Sequence, residues 1–367
     1  MLNPTVLDQV AVNQGMSHSK VNHELKQRWQ EHKNAHPRMR IRDAAKILEV
    51  SELELLVTGC GDSVVRLKPD WPDILKSLQS LGPVMALTRN EYAVHEKNGV
   101  YNKVRIMGSM GLVLDKAIDL RLFLSHWHHG FSVCENTASG ERQSLQFFDL
   151  YGTAIHKIYL LESSNKKTFD KLLSTYTSRD QSTFVNVSAM PKKSEECDDS
   201  SVDVSAFRSS WDAMKDTHDF HEVQKSYGLS RIQALRLGGS DRARMVSKDL
   251  FTDFMTGLVE GDISFMVFVG NKGIIQIHSG PVSNIKTFGS WFNILDDDFN
   301  LHLRTDAIDT AWAVRKPTVD GDVNSLELFD ANGDVIAYFF GSRKPGQPEL
   351  ANWRKIVNAL PTLDADE

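Results

Sequence analysis

MALTRNEYAVHEKNGVY (85–101) opens a run that continues to Leu160, and MVFVGNKGIIQIHSGPV (266–282) opens a second run that ends at Gly341. The two align at a constant offset of 181 without a gap over 76 residues, and 18 positions are identical. The identities include Asn90/Asn271, Gly99/Gly280, Gly108/Gly289, Asp115/Asp296, Leu120/Leu301, Ser144/Ser325, Asp149/Asp330 and Gly152/Gly333. The period is too long for a solenoid unit. It reads as a duplicated domain, each copy able to bury its own core. Copy one carries His95, Arg121, His126, His128 and His129 where copy two has Gln276, His302, Ala307, Asp309 and Thr310. One scaffold with two polar decorations suggests that one half, or a cleft between halves, does the chemistry.

Within each copy the segments are short and bounded by Gly, Asn, Asp and Ser, and several alternate apolar with polar residues. IDLRLFLSHW, SLQFFD and AIHKIYL in the first copy, and FNLHL, TAWAVRK, SLELFD and VIAYFFG in the second, read as antiparallel strands. Helical patterns precede each run. Leu25, Trp29 and His32 share one face; 43–48 is a short helix; Ser51 caps SELELL; Trp71, Ile74, Leu75, Leu78 and Leu81 form an apolar stripe. Further helices are expected over 168–175, from Ser209 to Tyr227 with Gly228 as its stop, after Ser230, over 248–259 and over 353–360. The fold class is α+β, a tandem duplication, each half with N-terminal helices followed by a large antiparallel β-sheet. The expected organisation is a flexible extension (1–21), a first repeat (22–190), a linker rich in Ser, Pro and charge (191–205) and a second repeat (206–367).

Composition narrows the function. Of 367 residues, 41% are hydrophobic and 25% charged, as in globular proteins. A net charge of −6 argues against a general nucleic-acid surface but leaves room for a local basic pocket. The cysteines Cys60, Cys134 and Cys197 are scattered, with no CxxC, so disulfides, zinc ribbons and covalent c-type haem are not expected. No apolar leader and no run of 18 apolar residues is present, which points to a cytoplasmic protein without a membrane span. No phosphate loop, dinucleotide fingerprint or metalloprotease motif appears.

The candidate residues each admit a bland reading. His218 falls on the stripe of Trp211 and Met214, with His221 one turn on. A histidine there is ordinarily a satisfied core residue; the sharper reading is a metal or cofactor ligand. His126 and His128 share one face of an expected strand and lack a third ligand nearby. Arg121 alternates with Leu120 and Leu122, so it points away from them, to water or to a covered face where it needs a partner. Lys316 and Arg343 lie near strand ends, where cations are ordinarily solvated or hold an anion.

The runs TRNEYAVHEKNGVY, IDLRLFLSHW, ENTASGERQSLQFFD, DTHDF, FMVFVGNKG and RKPTVDGDVNSLELFD resemble the HemS/ChuS/HmuS family of bacterial haem-utilisation proteins, the hemin-degrading factors. The resemblance covers roughly residues 24 to 360. It implies two similar halves and haem in a cleft to which both contribute, as substrate or cargo. It implies His218 as proximal iron ligand, Arg121 holding a distal water and serving catalysis, and Lys316 and Arg343 at the propionates or the pocket rim. His221 is an alternative ligand. Phe340 stands where the family often has Tyr, with Tyr338 nearby. Two functions follow: oxidative haem degradation with an external electron donor, or carriage of haem from an importer ATPase to a separate haem oxygenase. His302, the repeat partner of Arg121, leaves open a second haem site.

Overall fold

The alternating segments become eighteen strands in the computed structural model, which describes residues 23–137, 140–343 and 346–363. The extension expected over 1–21 lies outside the described residues. The first half contributes β1 (Val64–Arg66), β2 (Val84–Arg89), β3 (Ala93–Gly99), β4 (Val104–Met107), β5 (Met110–Leu114), β6 (Asp119–Phe123), β7 (His129–Thr137), β8 (Gly140–Phe148) and β9 (Ala154–Leu160). The second contributes β10 (Ala243–Val246), β11 (Phe265–Asn271), β12 (Ile274–Gly280), β13 (Ile285–Phe288), β14 (Trp291–Leu295), β15 (Phe299–Arg304), β16 (Thr310–Lys316), β17 (Val323–Phe329) and β18 (Val335–Gly341).

These strands do not assemble half by half. One sheet runs β1-β7-β8-β9-β2-β3-β15-β14-β13 and the other β10-β16-β17-β18-β11-β12-β6-β5-β4. Each half therefore lends a three-stranded meander to the other's sheet. The joins are β3 against β15, with Lys97 opposite Phe299, and β12 against β6, with Ile275 opposite Arg121. Period-2 alternation identifies a strand and its buried face but not its neighbour.

The apolar cores stay almost within each half. Under α4 (Trp71–Ser77) and α5 (Lys166–Tyr176), Ile74, Leu75 and Phe169 pack on Val84, Phe147 and Ile158 of the home sheet and on Val113, Leu120 and Leu122 of the lent meander. Ile274 is the contribution of the other half. In the second half α9 (Phe251–Glu260) and α10 (Ala351–Asn358) bring Phe254, Met255, Leu258 and Trp353 onto Phe265, Val267 and Phe339, and onto the lent Phe292, Ile294 and Leu301.

The seam between halves is polar. Lys97 and His278 are repeat partners, and Lys97 Nζ lies 3.3 Å from His278 Nδ1. The pseudo-twofold axis therefore passes between them. His278 stacks on Phe299 at 3.8 Å, and Lys97 donates to Asp298 at 2.9 Å. Behind the seam, within the first half, His156 pairs its two ring nitrogens with Thr88 (2.9 Å) and Tyr101 (2.6 Å). His95 is fully buried, and neither of its ring nitrogens finds a partner among the described residues. Burial holds His156 down at about 3 and His278, helped by Lys97, at about 4; His95 is also well below the usual range for the same reason. The identical asparagines tie the halves across this axis. Asn90 Nδ2 donates to Ile336 O at 2.8 Å, and Asn271 Nδ2 to Arg89 O and Ile155 O, both at 2.9 Å. The identical Asp149 and Asp330 each accept two backbone N–H groups in a turn closed by Gly152 (φ 76°) or Gly333 (φ 69°), a left-handed position that glycine fills without strain.

Two local expectations change. The single helix from Ser209 to Tyr227 breaks into α6 (Val204–Asp212) and α7 (Asp219–Ser226). Asp219 accepts the N–H groups of Lys215 and Asp216 at 2.9 Å, so side-chain carboxylate replaces the helical carbonyl. The strand carrying Arg121 ends at Phe123; 124–126 is a single 3₁₀ turn, so His126 is not on a strand, and β7 begins at His129. The other helices form near their expected places: α1 (23–35), α2 (Ile41–Ile47), α3 (Glu52–Val57) with Ser51 in a full capping box, and α8 (Arg231–Gly238) capped by Ser230.

Candidate functional site

The core takes Val267, Val269 and Phe339 from one face of the second sheet, so their neighbours point outward. Met266, Phe268, Ile275, Tyr338 and Phe340 are half-buried there, with Ile277 buried beneath them. Phe268 and Phe340 meet edge to face at 5.1 Å. The register sets Ile277, Phe268, Tyr338 and Glu327 in one row across β12, β11, β18 and β17. The result is an apolar platform on an outer face.

Arg121 borders this platform, paired in register with Ile275 of β12 and Leu112 of β5. Leu120 and Leu122 are fully buried on the opposite face, as alternation requires. Arg121 is 30% exposed and ion-paired with Asp119. Burial pushes the Asp119 carboxyl up while Arg121 pulls it back. Arg121 belongs to the first half, so the strand exchange is what brings it to this face.

Helices α6, α7 and α8 cover the platform's other end. Phe207, Trp211 and Phe220 pack on Trp312, Val314 and Phe329. Phe220 anchors α7 and is 1% exposed. His218 precedes that helix as its N-cap and is 87% exposed at the side chain; His221 is exposed as well. The expectation that His218 and His221 lie on or beside the apolar stripe of one helix is corrected, because the helix break turns the chain at His218 and leaves Phe220 as the inward residue. Asp216 accepts from the backbone N–H of His218 at 2.9 Å and engages Nδ1 of its ring. This fixes the ring and leaves Nε2 open. The His218 backbone N–H, then its ring and Arg343, hold the Asp216 carboxyl below the usual range. The half-buried Arg343 thus belongs to the same end of the face. Three strand spacings separate β18 from β6, roughly 14 Å.

Lys316 is not on a solvated rim. It is 2% exposed, donates to Glu327 at 2.7 Å, and lies 5.2 Å from the Phe220 ring centre and 5.5 Å from that of Phe340. Arg231, the first residue of α8, grips the same carboxylate through Nε (3.1 Å) and Nη2 (2.7 and 2.8 Å). Its guanidinium covers Phe220 at 4.3 Å and Tyr338 at 5.2 Å. Burial alone would raise the Glu327 carboxyl; Arg231 and Lys316 hold it down at about 2. Burial brings Lys316 down to about 8 despite Glu327. Arg231 and Glu327 are not among the residues singled out from the sequence. The signal was the Glu in SLELF: flanked by buried Leu326 and Leu328, it had to face outward under cover and find a cation.

The first sheet carries a different outer face. Glu96, Lys157 and Arg89 occupy the places of Ile277, Tyr338 and Gly270. Glu52 pairs with both Lys157 (2.7 Å) and Arg89. His302 bonds Asn293 at 2.6 Å. The apolar platform therefore has no copy there. Among the described residues no group of three or more His, Cys, Asp or Glu could hold a bare metal ion, and no helix is long and apolar enough to cross a membrane.

Comparison with known proteins agrees with this duplication. The model of the haemin-degrading HemS.ChuX domain matches twice, over 49–176 and 228–360. The hemin transport protein HmuS of Yersinia pestis is 37% identical over 345 residues, 94% of this chain and 99% of that protein. The fold is similar to holo-PhuS, a heme-binding protein from Pseudomonas aeruginosa, with a TM-score of 0.91, 43% identity and coverage of 93% and 99%. It is also similar to the heme degrading enzyme ChuS of Escherichia coli O157:H7, with a TM-score of 0.86, 36% identity and coverage of 92% and 99%.

Proposed function

Since the chain belongs to the haemin-degrading HemS.ChuX domain family, we propose that it binds haem, as substrate or cargo of haem iron utilisation, on the outer face of its second sheet. The observation that carries the reading is His218. Its Nδ1 is held by Asp216 and its Nε2 is open, at one end of an apolar aromatic platform that has Arg121 at the other. An imidazole so oriented is suited to ligate iron, and apolar side chains accept the macrocycle. Arg121 stands across the platform, where a fixed cation stabilises bound water or reduced oxygen by charge-assisted hydrogen bonds. The propionates fall toward Arg343 and toward Arg231, whose Nη1 makes no hydrogen bond among the described residues. Oxidative opening of haem would free the iron; oxygen and an external electron donor supply that chemistry. All three cysteines are free, in keeping with a cytoplasmic place.

The carrier reading is favoured by one feature. His218, the N-cap of α7, and His221, in its first turn, are both exposed, a geometry suited to ligand exchange. Haem turnover with a reductase, with and without catalase, separates the two. Product that survives catalase supports the enzyme, and loss of product supports the carrier.

His218→Ala tests the site itself. Soret titration of this variant is expected to lose the parent spectrum and at least tenfold in affinity. An unchanged band and affinity would move the assignment to His221.

A further inference from the structure

The ion cluster under the platform is unbalanced. Two cations, Arg231 and Lys316, face one carboxylate, Glu327, which is fully buried. Glu327 occupies the Nε and Nη2 edge of Arg231 and the Lys316 ammonium. Ser325 adds a hydroxyl to it at 3.0 Å. Tyr338 lies beside the cluster but is neutral, its hydroxyl pushed up to about 12 by burial. The cluster thus carries one excess positive charge, and Arg231, whose side chain is 19% exposed, keeps one nitrogen, Nη1, without a hydrogen bond among the described residues. A buried cation without its counter-ion is costly. An incoming carboxylate relieves that cost.

We propose that Glu327 sets the carboxylate selectivity of this site: it neutralises one of two cations and leaves the other to be completed by an acid group on the ligand. The proposal rests on the haem reading above. With two cations and two carboxylates the cluster becomes neutral, and binding of the acid needs no group to leave. A ligand of the same shape with its carboxylates masked as esters gains the platform contacts but leaves the excess charge unpaired. Without Glu327 both cations would draw the ligand's acid groups, so selectivity would rise and release would slow. The first half repeats the two-to-one charge ratio, Glu52 meeting Arg89 and Lys157, but on a face without the apolar platform a flat ligand needs.

The test compares haemin with haemin dimethyl ester by Soret titration on the full chain. The parent is expected to bind the acid roughly tenfold more tightly than the ester, the worth of one charge-assisted bond. Glu327→Gln is expected to widen that ratio by a further factor of about ten and to slow haemin release. Glu327→Asp, which keeps the charge but reaches less far, is expected to widen it less and serves if the amide variant does not fold. A parent that binds both ligands equally leaves the haem reading standing and overturns the role of Glu327. So does a ratio that stays constant while both affinities fall, the mark of a purely structural residue. A parent that binds neither ligand overturns both.

Discussion

At the scale of single residues, the buried histidines hold the clearest pH signature. His95, His156 and His278 are neutral in the folded protein because burial disfavours the imidazolium. In the unfolded chain they titrate near 6.5. The unfolded state therefore binds more protons below that pH, and stability falls as pH falls from about 6.5 toward about 4. Each fully buried histidine contributes up to about 1.4 kcal/mol per pH unit in that window. Urea unfolding at pH 7.5, 6.5, 5.5 and 5.0 should show a midpoint that is flat at first and then drops steeply; a flat profile to pH 5.0 would show that these rings are hydrated. Residue-level legibility in the sequence was uneven. Arg121 could be placed from LRL alternation, since the leucines claim the core. Lys316 could not, because its burial depends on Phe220 and Arg231, which come from other elements.

At the scale of elements, the decisive event is the break between α6 and α7. Helical periodicity ran through it, because Trp211, Met214 and Phe220 all face inward on either side. What ended the helix was the pair of aspartates flanking Thr217 and His218, whose carboxylates take four backbone and ring contacts. The DTHD spelling held that information, as side chains that compete for backbone N–H groups, but a hydrophobic stripe does not register it. Asp219→Ala should cost about 1 kcal/mol of stability, the usual worth of such a cap, and should loosen the His218 turn. Urea denaturation and haem titration together check this. The expectation is a small stability loss with a several-fold weaker haem affinity. A full loss of stability with unchanged haem affinity among folded molecules would assign the turn to folding alone.

At the scale of the whole molecule, the strand exchange governs what can stand alone. Each half keeps its own apolar core, but residues from about 23 to 190 by themselves would expose the unpaired edges of β3 and β6. Open edges of this kind recruit strands. The isolated first half should therefore appear by sedimentation as a dimer or aggregate and not as a folded monomer. Co-expression of both halves as separate chains should restore a one-to-one complex that binds haem, and a stable, well-dispersed monomer of either half would contradict the exchange. The duplication itself was legible to the residue, since Asn90/Asn271 and Asp149/Asp330 do the same work in both copies. The exchange was not, because both the exchanged and the unexchanged pairing satisfy the same pattern of buried faces.

The Lys97–His278 contact on the axis bears on how such a chain can change over generations. A residue on the axis meets its own duplicate, so just after duplication any side chain there faced an identical copy of itself. A lysine facing a lysine in a buried seam is untenable, and so is a charged histidine pair. A lysine opposite a histidine avoids that clash. The outer faces lie far from the axis and feel no such mutual pressure, so they are free to differ, one apolar and aromatic, the other charged.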